Sequence, residues 1–258
     1  MCSSDLVFII VAAAGVYSWL LTVTGVANAA TEYIAGLGME QWLLLLVMNV
    51  FMLLVGTVLD TASAILVLTP LLADLALETE AATALSFRVA RSFDEAFTDE
   101  QEAAYRRIMT PVAKYWVGKR APNLAYEAME CLGGNGYVEE GIAGRIYREM
   151  PVNAIWEGSG NVMCLDVLRA LGREPEALDV VFAEFDAARG ANAHYDKAVD
   201  LLKQQFTDLG TLEMRARTVL EDLAKVAAAS VLVKHAPDFV SDAFSAPQLG
   251  RAACREIV

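Results

Sequence analysis

From Ala73 to Phe97 apolar residues recur at intervals of three and four: Leu75, Leu77, Ala81, Ala84, Leu85, Val89 and Phe93 share one side, and Glu78, Glu80, Arg88 and Arg91 avoid it. That spacing, near the 3.6-residue period of an α-helix, predicts an amphipathic helix ending near Phe97. A second helix is predicted from about Asp99 to Leu132. Asp99 suits an N-cap, Glu102 sits three residues on, and Gly133 stands where a helix stops. Pro111 and Pro122 are expected to kink it. After a Gly-rich loop and a short turn, further helices are predicted near 160–171, 174–189, 192–206, 211–233 and 236–244. No stretch alternates long enough to build a sheet, so residues 74–258 are expected to form an all-α helical bundle.

The front of the chain has a different pattern. Leu6–Val23 and Gln41–Leu59 are uncharged apolar runs, of about 18 and about 19 residues, close to the ~20 that cross a bilayer core as a helix. Hydrophobic, membrane-type helices are therefore expected over residues 1–73, with membrane contact through residues 6–72. Gly56, Asp60 and Pro70 interrupt the second apolar stretch. A carboxylate within a membrane is costly, which makes Asp60 a candidate transport residue. Met1–Asp5 lacks the basic start of a signal peptide. The segment NVFMLLVGTVLDTASAILVLTPLL, residues 49–72, resembles part of the large membrane subunit of the tripartite ATP-independent periplasmic (TRAP) transporters, which implies an inner-membrane setting for residues 1–73. The likeness covers about residues 7–72, too few spans for a transport pathway. The opening MCSSDL matches a translated sequencing-adapter stretch, and the chain is expected to join two pieces of separate origin.

Charge sharpens the division. Only Asp5, Glu32, Glu40 and Asp60 are charged before residue 74, and all 20 Lys and Arg come later. Of 33 acids, 29 thus remain against 20 bases after residue 73, a net charge of −9 in a chain that totals −13. Such acidity opposes sequence-independent nucleic-acid binding, which depends on neutralising phosphates. Cys2, Cys131, Cys164 and Cys254 are scattered, without C-x-x-C pairs or His at metal spacing, and His194 and His235 stand alone. These are expected to be free thiols of a reducing compartment, with no metal site.

Two segments break the helical regularity. In CLGGNGY, residues 131–137, adjacent glycines let backbone approach a ligand closely. In AIWEGSGNVMCL, residues 154–165, the carboxylate of Glu157 precedes small residues and a helix start, so a potential base lies beside free backbone N–H groups. With TPVAKYWVGKRAPNLAYEAME before and RIYREMPVN between them, these segments resemble the C-terminal helical domain of the acyl-CoA dehydrogenases, and within them the DNA-alkylation-response (AidB-type), isovaleryl-CoA dehydrogenase-like branch. The resemblance runs from about Leu75 to Phe244.

The resemblance implies a cytoplasmic FAD enzyme that dehydrogenates an acyl-CoA thioester between its α and β carbons. Glu157 matches the family's catalytic base, which becomes a stronger base where acyl chain and flavin exclude water. Gly133, Gly134, Gly136 and Tyr137 match a loop that contacts FAD, commonly across a subunit interface, and Ser159 and Asn161 fall where the family touches the cofactor again. Like subunits, in a tetramer, are the implied partners. The branch's association with DNA makes Arg106, Arg107, Lys114, Lys119, Arg120, Arg169 and Arg173 candidates for a DNA contact. The family's N-terminal helical and middle β-domains have no counterpart here, so an inactive, truncated C-terminal domain is expected over residues 74–258.

Overall fold

A computed structural model describes residues 23–25, 36, 41–208 and 210–254. The Leu6–Val23 run therefore lies, apart from Val23, outside the described residues. The chain divides into two compact units, Met1–Ile65 and Leu66–Val258. Among the described residues every regular element is a helix.

Helix α1, Gln41–Glu95, is far longer than the amphipathic segment predicted from Ala73 and contains Pro70. Asp60 lies on it, its side chain outside the described residues. Among the described residues no helix is long and apolar enough to cross a membrane, so the span expected over Gln41–Leu59 finds no support there.

In the second unit the predicted apolar face of α1 is real only in part. Ala81, Leu85 and Val89 are buried, whereas Phe93 is 45% exposed. Of Glu78 and Arg88, expected to face water, the first is buried and the second half-buried. Arg88 reaches Glu102 and Glu184, and Glu78 takes Arg120. Helix α2, Glu100–Cys131, is capped by the Asp99 side chain, which accepts from the Gln101 N–H, as a short oxygen-bearing residue before a helix does. Glu102 does not complete a capping box, because Arg88 holds it.

Past α2 come the one-turn helix α3 (Gly134–Tyr137), α4 (Ala143–Asn153), α5 (Gly160–Arg173), α6 (Glu176–Asp186), α7 (Ala193–Gln205), α8 (Leu212–His235) and α9 (Asp238–Cys254). The residue pattern predicts only a short turn where α4 forms. Helices α3 to α6 and α8 all pack against α2. Helix α8 is buried along most of its length, with Leu220, Leu223, Ala224, Ala228 and Ala229 fully enclosed. Its small residues let α2, α5, α6, α7 and α9 gather around it, in a core whose fully buried aliphatic side chains contribute about 1.5–3 kcal/mol each.

Candidate active site

Glu157 sits in the short passage from α4 to α5. The end of α4 runs on past its cap, with the Ile155 and Trp156 N–H groups both donating to Val152 O at 3.0 Å, and Met163 N–H donates back to Ser159 O to start α5. Joining two helix ends in so few residues takes a left-handed step. It falls on Glu157, at φ +53°, and Gly158 follows at φ +114°. Gly158 occupies backbone space that side chains rarely share. For Glu157 the same region costs roughly 1–2 kcal/mol, so its surroundings must hold it there. Lys114 on α2 supplies a hold, donating from Nζ to Trp156 O at 2.6 Å and to Gly158 O at 2.7 Å.

The Glu157 side chain is exposed and lines a depression of about 420 Å³ with Phe93, Arg106, Arg107, Lys114 and Met163. Arg107 closes one wall by a two-pronged bond to Asp166, at 2.8 and 3.1 Å. That bond holds the Asp166 carboxyl below its usual range and raises Arg107. The Arg106 guanidinium lies over the Phe93 ring, 5.1 Å from its centre. A larger cavity of about 640 Å³ lies elsewhere, lined by Arg88, Glu102, Tyr105, Glu184 and Lys234. Its charges Arg88, Glu102, Glu184 and Lys234 are engaged with one another.

Ser159 and Asn161 stand beside Glu157 at the start of α5, both exposed. Ser159 is the N-cap, yet its side chain makes no capping bond. The glycine turn is elsewhere. Gly133 has φ +56°, and a Cβ on Gly136 would lie 2.1 Å from Met129 O, so only glycine lets α3 seat on the end of α2. Gly134 has open space on its Cβ side and Tyr137 is 76% exposed. The glutamate loop meets α2 at Lys114 and the glycine turn meets it at Met129. With about 1.5 Å of rise per residue, the two surfaces are about 22 Å apart along one helix. The structure brings Glu157, Ser159 and Asn161 together and sets Gly133, Gly134, Gly136 and Tyr137 apart from them.

Of the basic candidates, Arg106, Arg107 and Lys114 line the depression. Arg120 pairs with Glu78, Arg169 comes within 3.9 Å of Asp166, Arg173 is in the last turn of α5, and Lys119 is exposed with its Cε against Gly160. Among the described residues no group of three or more His, Cys, Asp and Glu is arranged to hold a metal. The residue pattern offers Lys114 and Arg107 only as candidates for a DNA contact and passes over Asp166. The partners of Lys114 are backbone carbonyls, which leave no mark on the residue pattern.

The profile of the acyl-CoA dehydrogenase C-terminal domain matches residues 67–172. Over these residues the chain is similar to that family. AidB of Escherichia coli (strain K12) is 48% identical over 134 residues, covering 52% of this chain and 25% of AidB. Acyl-CoA dehydrogenase family member 11 of Caenorhabditis elegans is 37% identical over 110 residues, 41% of this chain and 18% of the relative. The chain thus spans about a quarter or less of the length of these two acyl-CoA dehydrogenase relatives. The crystal structure of C. elegans ACDH-11 in complex with C11-CoA shares the fold, with a TM-score of 0.62 at 24% identity over 72% of this chain and 35% of that one. A second profile, the DctM component of the tripartite ATP-independent periplasmic transporters, matches residues 2–82. The transporter and acyl-CoA dehydrogenase matches overlap within α1.

Proposed function

We propose that the helical unit is the C-terminal domain of an AidB-type acyl-CoA dehydrogenase and that Glu157 is its base, accepting an α-proton of an acyl-CoA thioester on a carboxylate oxygen. One observation carries the reading: Glu157 is held in left-handed backbone at the edge of a depression, its flanking carbonyls fixed to α2. Strain of this kind concentrates where function demands it. FAD, when bound, would supply the acceptor for the hydride leaving the β-carbon. Gly133, Gly134, Gly136, Tyr137, Ser159 and Asn161 would hold it. Their surroundings fit that role, since backbone at Gly134 is open, Tyr137 is exposed and the Ser159 hydroxyl is not used for capping. The separation along α2 supports a glycine turn that serves the flavin of a neighbouring copy.

On its own the chain leaves Glu157 in water, and we expect it to hold FAD poorly and not to turn over. The test is a graft in which the matching quarter of E. coli AidB is replaced by this chain's residues. The graft should retain flavin and bleach on addition of an acyl-CoA, and E157Q should retain flavin and lose bleaching. Bleaching at the unmutated rate in E157Q would remove the glutamate from the role.

A DNA contact through Lys119, Arg120, Arg169 and Arg173 lacks comparable support, since Arg120 and Arg169 have carboxylate neighbours within ion-pair reach. For residues 1–73 the transporter match favours a second reading, a piece of a membrane subunit in which Asp60 is the residue tied to transport. Sequencing the source genome across the codons for residues 60–90 tests whether it is foreign to the helical unit; one uninterrupted natural gene would reject a join.

A further inference from the structure

We infer that Lys114 is the positioning residue for Glu157: its ammonium, bound to the carbonyls on either side of the glutamate, sets the loop conformation that aims the carboxylate. This rests on Glu157 being the base and adds the device that holds it.

The loop cannot hold itself. Ser159 gives no side-chain cap to α5, and Glu157 lies at positive φ, where a residue with a side chain, left alone, relaxes to ordinary backbone. Because of that left-handed step, the carbonyls of Trp156 and Gly158 converge on one point. At that point stands the Lys114 Nζ, 2.6 and 2.7 Å from the two oxygens. Charge-assisted bonds of this length are about twice as strong as neutral ones, and two of them outweigh the strain of a single left-handed residue. Among the described residues Lys114 forms no ion pair with a carboxylate, so its charge is spent on this backbone.

The anchor is itself firm. Lys114 is flanked on α2 by Ala113, Tyr115 and Trp116, all buried, so its stem rises from a fixed stretch of helix. Sequence separation makes the link long-range: the two bonds join residues 42 and 44 positions apart. An arginine at this position keeps a planar fork of donors able to meet two carbonyls, whereas methionine keeps the stem and loses the charge.

The test reads the loop first, on the full 258-residue chain and without cofactor. Amide hydrogen exchange is followed by mass spectrometry for the unmutated chain, K114M, K114Q and K114R. In K114M and K114Q the amides of Ile155 and Trp156, which donate to Val152 O, should exchange about tenfold faster or more, as loss of two charged hydrogen bonds requires, while α8 stays protected; K114R should remain close to the unmutated chain. Equal exchange at these two amides in K114M and the unmutated chain overturns the inference. So does loss of α8 protection in step with the loop in both K114M and K114Q, which would make Lys114 a general packing residue.

The AidB graft supplies the catalytic arm. There K114M should lower kcat about 10- to 100-fold with KM and flavin content little changed, as misplacement of a reacting group does, and K114R should recover most of it. A loop loosened by K114M beside a fully active E157Q would discard the base and keep the clamp. An unmoved loop beside an inactive E157Q would discard the clamp and keep the base.

Discussion

Removing Arg88 should be among the costliest single changes in the helical unit. Its guanidinium donates to Glu102 at 2.9 Å through two nitrogens and to Glu184 at 2.8 and 2.5 Å, and it stacks 3.9 Å from the centre of the Tyr105 ring. The three charged side chains are only 12%, 15% and 17% exposed. Burial works against the charge of Arg88, yet the bonds from Glu184 and Glu102 more than offset it and raise its pKa above the ordinary arginine value. R88M leaves two buried carboxylates facing a gap. Breaking a buried pair this way costs about 3–5 kcal/mol. Lys234, 3.9 Å from Glu184, covers part of one charge, so we expect about 3 kcal/mol. For a unit of this size that is a fall of roughly 6–12 °C in Tm. Thermal melts and urea midpoints by far-ultraviolet circular dichroism measure it. The triple variant R88M/E102Q/E184Q should recover most of the loss, because the uncompensated charge is gone. A loss below about 1 kcal/mol for R88M, or no recovery in the triple variant, would refute the reasoning.

Two further outcomes follow from the site. E157N should raise stability by about 0.5–1 kcal/mol, since asparagine tolerates left-handed backbone, read as a gain of about 1–4 °C in Tm; a lower Tm would show that Glu157 is not strained. Asp166 is held below its ordinary value of 3.8, first by the hydrogen bond from Arg107. A depressed folded value means stability that is present above the unfolded value and is lost as pH falls through the folded one. Urea midpoints from about pH 5 to about pH 2 should therefore drop less steeply in D166N than in the unmutated chain.

Much of the helical unit is legible in the residue pattern, because local signals and packing agree there. Asp99 and Gly133 bracket α2 to within a residue of its predicted ends. Helix α4 is missed because Gly141, Gly144 and Pro151 read as breakers. What makes it a helix is tertiary: it packs along α2, where a Cβ on Gly118 would lie 3.2 Å from Asn153 O, and no local signal reports that approach. The start of α1 at Gln41 coincides with that of the second apolar run, but its continuity into the amphipathic segment is missed, since residues 41–72 are almost uniformly apolar and carry no period that joins the two. At the candidate site, the motif singles out Glu157 with its neighbours Ser159 and Asn161. The left-handed backbone beneath it and the Lys114 contacts depend on where distant carbonyls arrive, which side-chain identities do not encode.

Helix α2 works as a beam carrying both candidate surfaces, and a break in its hydrogen-bond ladder lies between them. Pro122 has no N–H to offer Gly118 O one turn back, so a rung of the helical ladder is missing midway between Lys114 and Met129. A change of bend at that rung would alter the span between glutamate loop and glycine turn.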